Sequence, residues 1–204
     1  MTHGFDWADN ARKEKARELG YNNDLFELRA LFEAEKSAEA MKHFLERHEI
    51  DVEDLKTWEK HAEQTKIDLV KKGDLGLYPD ARKLLENLDV PKALVSNAYG
   101  EATDRIVRHM GLDTEFEFWK APSLNDIETY VENMKPNPDM LQEAMNAMNS
   151  ENAVMVGDSK TDVGAAENAG IDSIYINRSG ETFEKTTFNA ESLEEVRKIV
   201  RDKA

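Results

Sequence analysis

The chain has 204 residues, 40% of them hydrophobic, a net charge of -15 and no cysteine, so it can bury a sizeable core but holds no disulfide framework, thiol nucleophile or zinc-thiolate site. With no basic stripe to neutralise phosphates, the acidic balance argues against nucleic acid as a partner. No apolar run approaches the roughly 20 residues of a membrane helix, and residues 1–10 lack the order of a signal peptide, so a cytoplasmic protein without a membrane partner is expected.

Taken in order, the first third reads as helical. Asp9 can cap a helix over residues 10–19 that Gly20 ends, and Asn23 or Asp24 opens a second, with Leu25, Leu28, Leu31, Phe32, Met41, Phe44 and Leu45 at helical spacing. A third starts near Asp51 or Glu53, runs through Leu55, Trp58, Ala62, Ile67 and Val70, and stops at the glycine-bearing stretch 73–76. His43, His48 and His61 stand among charged residues, where surface positions are expected rather than metal ligation. Residues 1–76 are therefore expected to form a small helical domain.

Beyond Gly76 the pattern alternates. Pro79 opens a helix over 80–88, and a strand at 92–95 ends in Ser96 and Asn97. A helix over 101–110, a strand at 116–120 and an acidic piece at 125–134 follow. The run Lys135, Pro136, Asn137, Pro138 is expected to start a helix reaching Met148. An apolar strand at 153–156 turns at Gly157 and leads into a helix that ends at Gly170, with Asp158 and Asp162 expected in its first turn. Residues 173–176 form another strand, a shorter one lies near Phe188, and a helix spans 192–201. Such alternation over residues 77–204 implies an α/β domain with a doubly wound parallel sheet.

In such a sheet ligands bind beyond the carboxyl ends of the strands, where three polar groups fall. Ser96 and Asn97 offer a hydroxyl and backbone N–H groups suited to phosphate oxygens. Lys135 can bring positive charge. Asp158 and Asp162 repel unless a cation lies between them, and oxygen ligands of this kind suit Mg²⁺. Read alone, that pair is equally an N-cap aspartate followed by an acid that favours the helix dipole.

Together, the Ser-Asn pair after the ALV run, the KPNP run at 135–138 and the GDSKTD run at 157–162 with its VGAAENAGI continuation resemble the second, third and fourth motifs of the haloacid dehalogenase-like hydrolases. The resemblance covers residues 77–176, with the preceding helical domain similar to that family's small cap. It implies a Mg²⁺-dependent phosphatase acting on a small phosphorylated metabolite. Ser96 and Asn97 would bind the phosphoryl group, Lys135 would act catalytically by stabilising its charge, Asp158 would ligate Mg²⁺, and Asp162 would support or join that coordination.

The family's first motif, an apolar strand ending in Asp-x-Asp, supplies its nucleophile and its acid. No Asp-x-Asp occurs in the 204 residues, and Asp6 and Asp9 are three apart in the lead-in to a helix. Two classes follow: a phosphomonoester hydrolase whose start lies upstream of Met1, or a catalytically inactive phosphate-binding or interaction protein of the same fold. A dehalogenase is a lesser variant of the first. The missing strand would lie centrally, between those leading to Ser96 and to Asp158. Its absence is expected to leave either a gap there or direct pairing of the two flanking strands.

Overall fold

Residues 6–21, 37–123 and 127–203 are described by the computed structural model. Three helices come first: α1 (Asp6–Glu18), α2 (Ser37–Arg47) and α3 (Val52–Lys72). Then follow α4 (Pro79–Asn87), β1 (Ala93–Val95), α5 (Gly100–His109), β2 (Phe118–Lys120), α6 (Ile127–Glu132) and α7 (Asp139–Ala147). The chain closes with β3 (Val154–Gly157), α8 (Lys160–Ala169), β4 (Asp172–Ile176), β5 (Phe188–Ala190) and α9 (Leu193–Lys203). The opening of the expected second helix, at Asn23 or Asp24, lies outside the described residues.

The chain forms two compact units. The first takes the described residues of 1–76 together with 96–112 and 121–134. The reason is apolar: Tyr99 and Ala102 of the α5 segment, with Tyr130 and Met134, join Met41, Phe44, Leu55 and the fully buried Trp58 in one cluster. In α1, the buried Ala8, Ala11 and Ala16 share one face, and their small side chains let the helix lie along α3. Asp51 caps α3 by accepting from the Glu53 N–H at 2.7 Å, and Gly73 ends it with a left-handed φ of 80°.

The second unit holds all the described strands, every pair of them parallel. β1 pairs with β2, while β3, β4 and β5 form a separate sheet in that order. Val95, Met140, Leu141, Ala144 and Ala165 pack with Ala93, Phe118 and Met155, so one apolar cluster draws on both sheets. The flanking strands β1 and β3 are not paired, and among the described residues no strand stands between them. Direct pairing of the two, one of the expected outcomes, is not found. The described N-terminal residues are helical, as α1.

Candidate active site

At the carboxyl end of β3 the chain leaves Gly157, passes Asp158, and enters α8 through Ser159, the N-cap. Ser159 and Asp162 form a reciprocal capping box: the serine oxygen accepts from the Asp162 N–H at 3.1 Å, and Asp162 Oδ2 accepts from the Ser159 N–H at 3.1 Å. The serine hydroxyl also donates to Oδ2 at 2.7 Å. Asp158 thus precedes the helix instead of sharing its first turn with Asp162. A Ser-x-x-Asp spacing takes the cap position, because the box satisfies two helix-end donors at once.

Lys135 reaches this point from the other side. It is only 6% exposed, and its Nζ lies 2.6 Å from Asp162 Oδ1 and donates to the Val95 carbonyl at 2.9 Å. The ammonium therefore occupies the space between the carboxyl end of β1 and the first turn of α8. Lys135 does not start a helix as expected. α7 begins at Asp139 after the N-cap Pro138, because proline disfavours helical backbone in the residue before it. Asn137 bends the entry by accepting from the Asp139 N–H at 2.8 Å.

Asp162 has both carboxylate oxygens on protein donors: Oδ1 on Lys135, Oδ2 on Ser159. Through these bonds Asp162 holds Lys135 in place, and Oδ1 keeps a lone pair beyond its bond to the ammonium. Gly157 makes room for it, since a Cβ there would fall 2.2 Å from Asp162 Oδ2. Asp158 is exposed, yet its carboxyl is pushed above the usual aspartate range, first by desolvation among its neighbours and then by the charge of Asp162, with Lys135 opposing. A carboxylate under such pressure is one that a cation relieves. Among the described residues no group of three or more histidine or acidic side chains is placed to hold a metal.

Ser96 and Asn97 cluster with the helical unit. The Ser96 hydroxyl oxygen accepts from the Ala98 N–H at 3.1 Å, a local turn that leaves the O–H able to donate elsewhere. The Asn97 carbonyl accepts from the Tyr130 hydroxyl at 3.3 Å. Sequence reasoning missed Ser159, although its spacing to Asp162 is the signature of a capping box. It also missed Tyr130 and the Val95 carbonyl, which carry no local signal. His43 is exposed as expected, whereas His48 is half-buried against Phe44, the ring centres 4.6 Å apart.

The sequence model described as haloacid dehalogenase-like hydrolase matches residues 14–176. Pyrophosphatase PpaX of Halalkalibacterium halodurans is 33% identical over 122 residues, 59% of this chain. The chain covers 53% of that relative's length. CbbY from Rhodobacter sphaeroides, solved in complex with phosphate, superposes with a TM-score of 0.71 at 20% identity, over 94% of this chain and 89% of that one. A HAD phosphatase from Thermococcus onnurineus gives 0.59 at 20% identity, over 96% and 89% of the two chains. At such identities the structures carry the fold alone, while the family match spans most of the sequence: the chain belongs to the haloacid dehalogenase-like hydrolases.

Proposed function

We propose that the site serves a Mg²⁺-dependent phosphatase acting on a small phosphorylated metabolite in the cytoplasm. The observation that supports this best is the buried ammonium of Lys135, held at a strand end by Asp162 and by the Val95 carbonyl. A cation fixed in that way stabilises charge on a phosphoryl group with little reorganisation. Ser96 donates its hydroxyl to the phosphoryl oxygens, and backbone N–H groups around Asn97 assist. Asp158 would hold Mg²⁺, with Asp162 supporting or joining that coordination, and so few carboxylates fit an ion that keeps several waters and takes few protein ligands. When bound, Mg²⁺ supplies positive charge to phosphate oxygens and fixes their orientation. Asp162 supports both by keeping Lys135 in place. Among the described residues no helix is long and apolar enough to cross a membrane, in keeping with the proposed location. PpaX, named a pyrophosphatase, lends weight to the phosphorylated class of substrate.

A second reading rests on one observation, the lack of any Asp-x-Asp in the 204 residues. In it the chain binds phosphate or a partner and does no covalent chemistry. Assaying p-nitrophenyl phosphate with Mg²⁺ separates the two, using this chain and one extended by any in-frame codons upstream of Met1. The phosphatase reading expects turnover once an Asp-x-Asp is supplied, lost on Asp158→Asn, and none from the 204 residues alone. The binding reading expects none from either. Turnover by the 204-residue chain that survives Lys135→Ala and Asp158→Asn would overturn the site as assigned.

A further inference from the structure

The turn that carries Ser96 and Asn97 is held at two points by residues far along the chain. The Tyr130 hydroxyl donates to the Asn97 carbonyl at 3.3 Å, and the Gly100 N–H donates to the Pro122 carbonyl at 2.9 Å. The second approach is close, for a Cβ on Gly100 would fall 3.1 Å from the Ala121 carbonyl oxygen and 3.3 Å from that of Pro122. Between these two points lies Tyr99, itself buried in the cluster that also contains Tyr130 and Trp58.

Tyr130 is in turn backed by charge. Burial, then Glu59 and Glu63, raise its hydroxyl well above the usual tyrosine range, so it stays a donor. Glu59 is fixed by Arg12, whose guanidinium donates twice, at 2.7 and 2.9 Å, from Nε and Nη2. Burial opposes the charge on Arg12, and Glu59 outweighs it. The donor that reaches the Asn97 carbonyl is therefore kept protonated by burial and by these neighbouring charges.

We propose that these two contacts form a clamp that sets the geometry of the turn at residues 96–100, with Tyr130 as a positioning residue for phosphate binding by Ser96. The inference rests on the proposed role of Ser96. Fixing the Asn97 carbonyl fixes the peptide that joins it to Ala98, and with it the Ala98 N–H that orients the Ser96 hydroxyl. Losing the Tyr130 hydroxyl removes one of the two points that hold the turn, while the ring still fills the core.

The test titrates inorganic phosphate into the protein with Mg²⁺ present, for the native chain, Ser96→Ala, Tyr130→Phe and Tyr21→Phe. Tyr21 also loses a phenol bond in the same unit, but its hydroxyl bonds Asp54 at 2.6 Å and the Asp51 N–H at 3.2 Å instead of the turn. Tyr130→Phe should weaken phosphate roughly three- to tenfold. Tyr21→Phe should lower Tm without changing phosphate affinity. If Ser96→Ala weakens phosphate and a folded Tyr130→Phe does not, the clamp is overturned and the role of Ser96 stands. If Ser96→Ala has no effect, or the native chain binds no phosphate, the role of Ser96 fails and takes the clamp with it. Should Tyr130→Phe not fold, 3-fluorotyrosine at all five tyrosines keeps the native shape. Phosphate should then shift the Tyr130 fluorine resonance, and no shift at saturation would overturn the clamp.

Discussion

The ammonium of Lys135 lies 2.6 Å from Asp162 Oδ1, and both side chains are buried. A buried pair is often no better than an apolar one of the same shape, but a half-pair is far worse. Here the ammonium also takes up the Val95 carbonyl at the end of β1, a strand that is not paired with β3. The lysine thus answers a buried backbone acceptor and presents positive charge at the same strand ends.

Breaking the pair should be costly in a diagnostic way. Lys135→Ala leaves Asp162 buried without its ammonium partner, and Asp162→Ala leaves the buried Lys135 without its carboxylate. Each should lose about 3–5 kcal/mol, read as a shift of the urea midpoint. The double variant Lys135→Met with Asp162→Ala should lose less than the sum of the single variants. Strict additivity would mean that the two side chains do not depend on each other.

Gly157 is the tightest spot in this arrangement. A methyl there would meet Asp162 Oδ2 at 2.2 Å and Cγ at 2.3 Å, and Asp162 is held on both oxygens, so it has no room to yield. Gly157→Ala should destabilise by about 1–3 kcal/mol, measured by thermal melting. It should also weaken phosphate binding, because displacing Asp162 moves Lys135. An unaltered melting curve would contradict this packing.

Glu63 gives a pH dependence with a defined sign. Its carboxyl is raised above 4.5 by burial, with Lys66 and Arg12 opposing and Glu59 reinforcing. The folded state therefore holds this proton more tightly than the unfolded chain does. Its contribution to stability is largest at or below pH 4.5 and declines as pH rises through the raised folded value. Glu63→Gln should flatten that decline and raise Tm at pH 7 relative to the native chain, the two curves converging in acid. A variant less stable than the native chain at pH 7 would show that the carboxylate is needed ionised.

Local signals proved legible and distant pairings did not. Strands β1, β3 and β4 were readable from short apolar runs, and β5 from the run around Phe188, because such runs bounded by polar turns have few other homes. Asp158 and Asp162 were readable as a pair at a strand end. That Asp162 turns inward, with Ser159 and Lys135 on its two oxygens, depends on the 26 residues between Lys135 and Asp162 folding back. The Arg12–Glu59 pair, 47 residues apart, is invisible for the same reason. Residues 96–112 join the helical unit because Tyr99 and Ala102 fit its apolar cluster. Their sequence alternation pointed only to the α/β pattern.

The central claim is that Asp158 and Lys135 form a joint metal and phosphate site. Calorimetric titration of inorganic phosphate, with and without Mg²⁺, measures it most directly. The account predicts phosphate binding that strengthens when Mg²⁺ is present, a Tm that rises with Mg²⁺, and loss of both Mg²⁺ effects in Asp158→Asn. Lys135→Ala should bind phosphate weakly with or without the ion. Phosphate binding indifferent to Mg²⁺, and equal in the native chain and in Asp158→Asn, would contradict it.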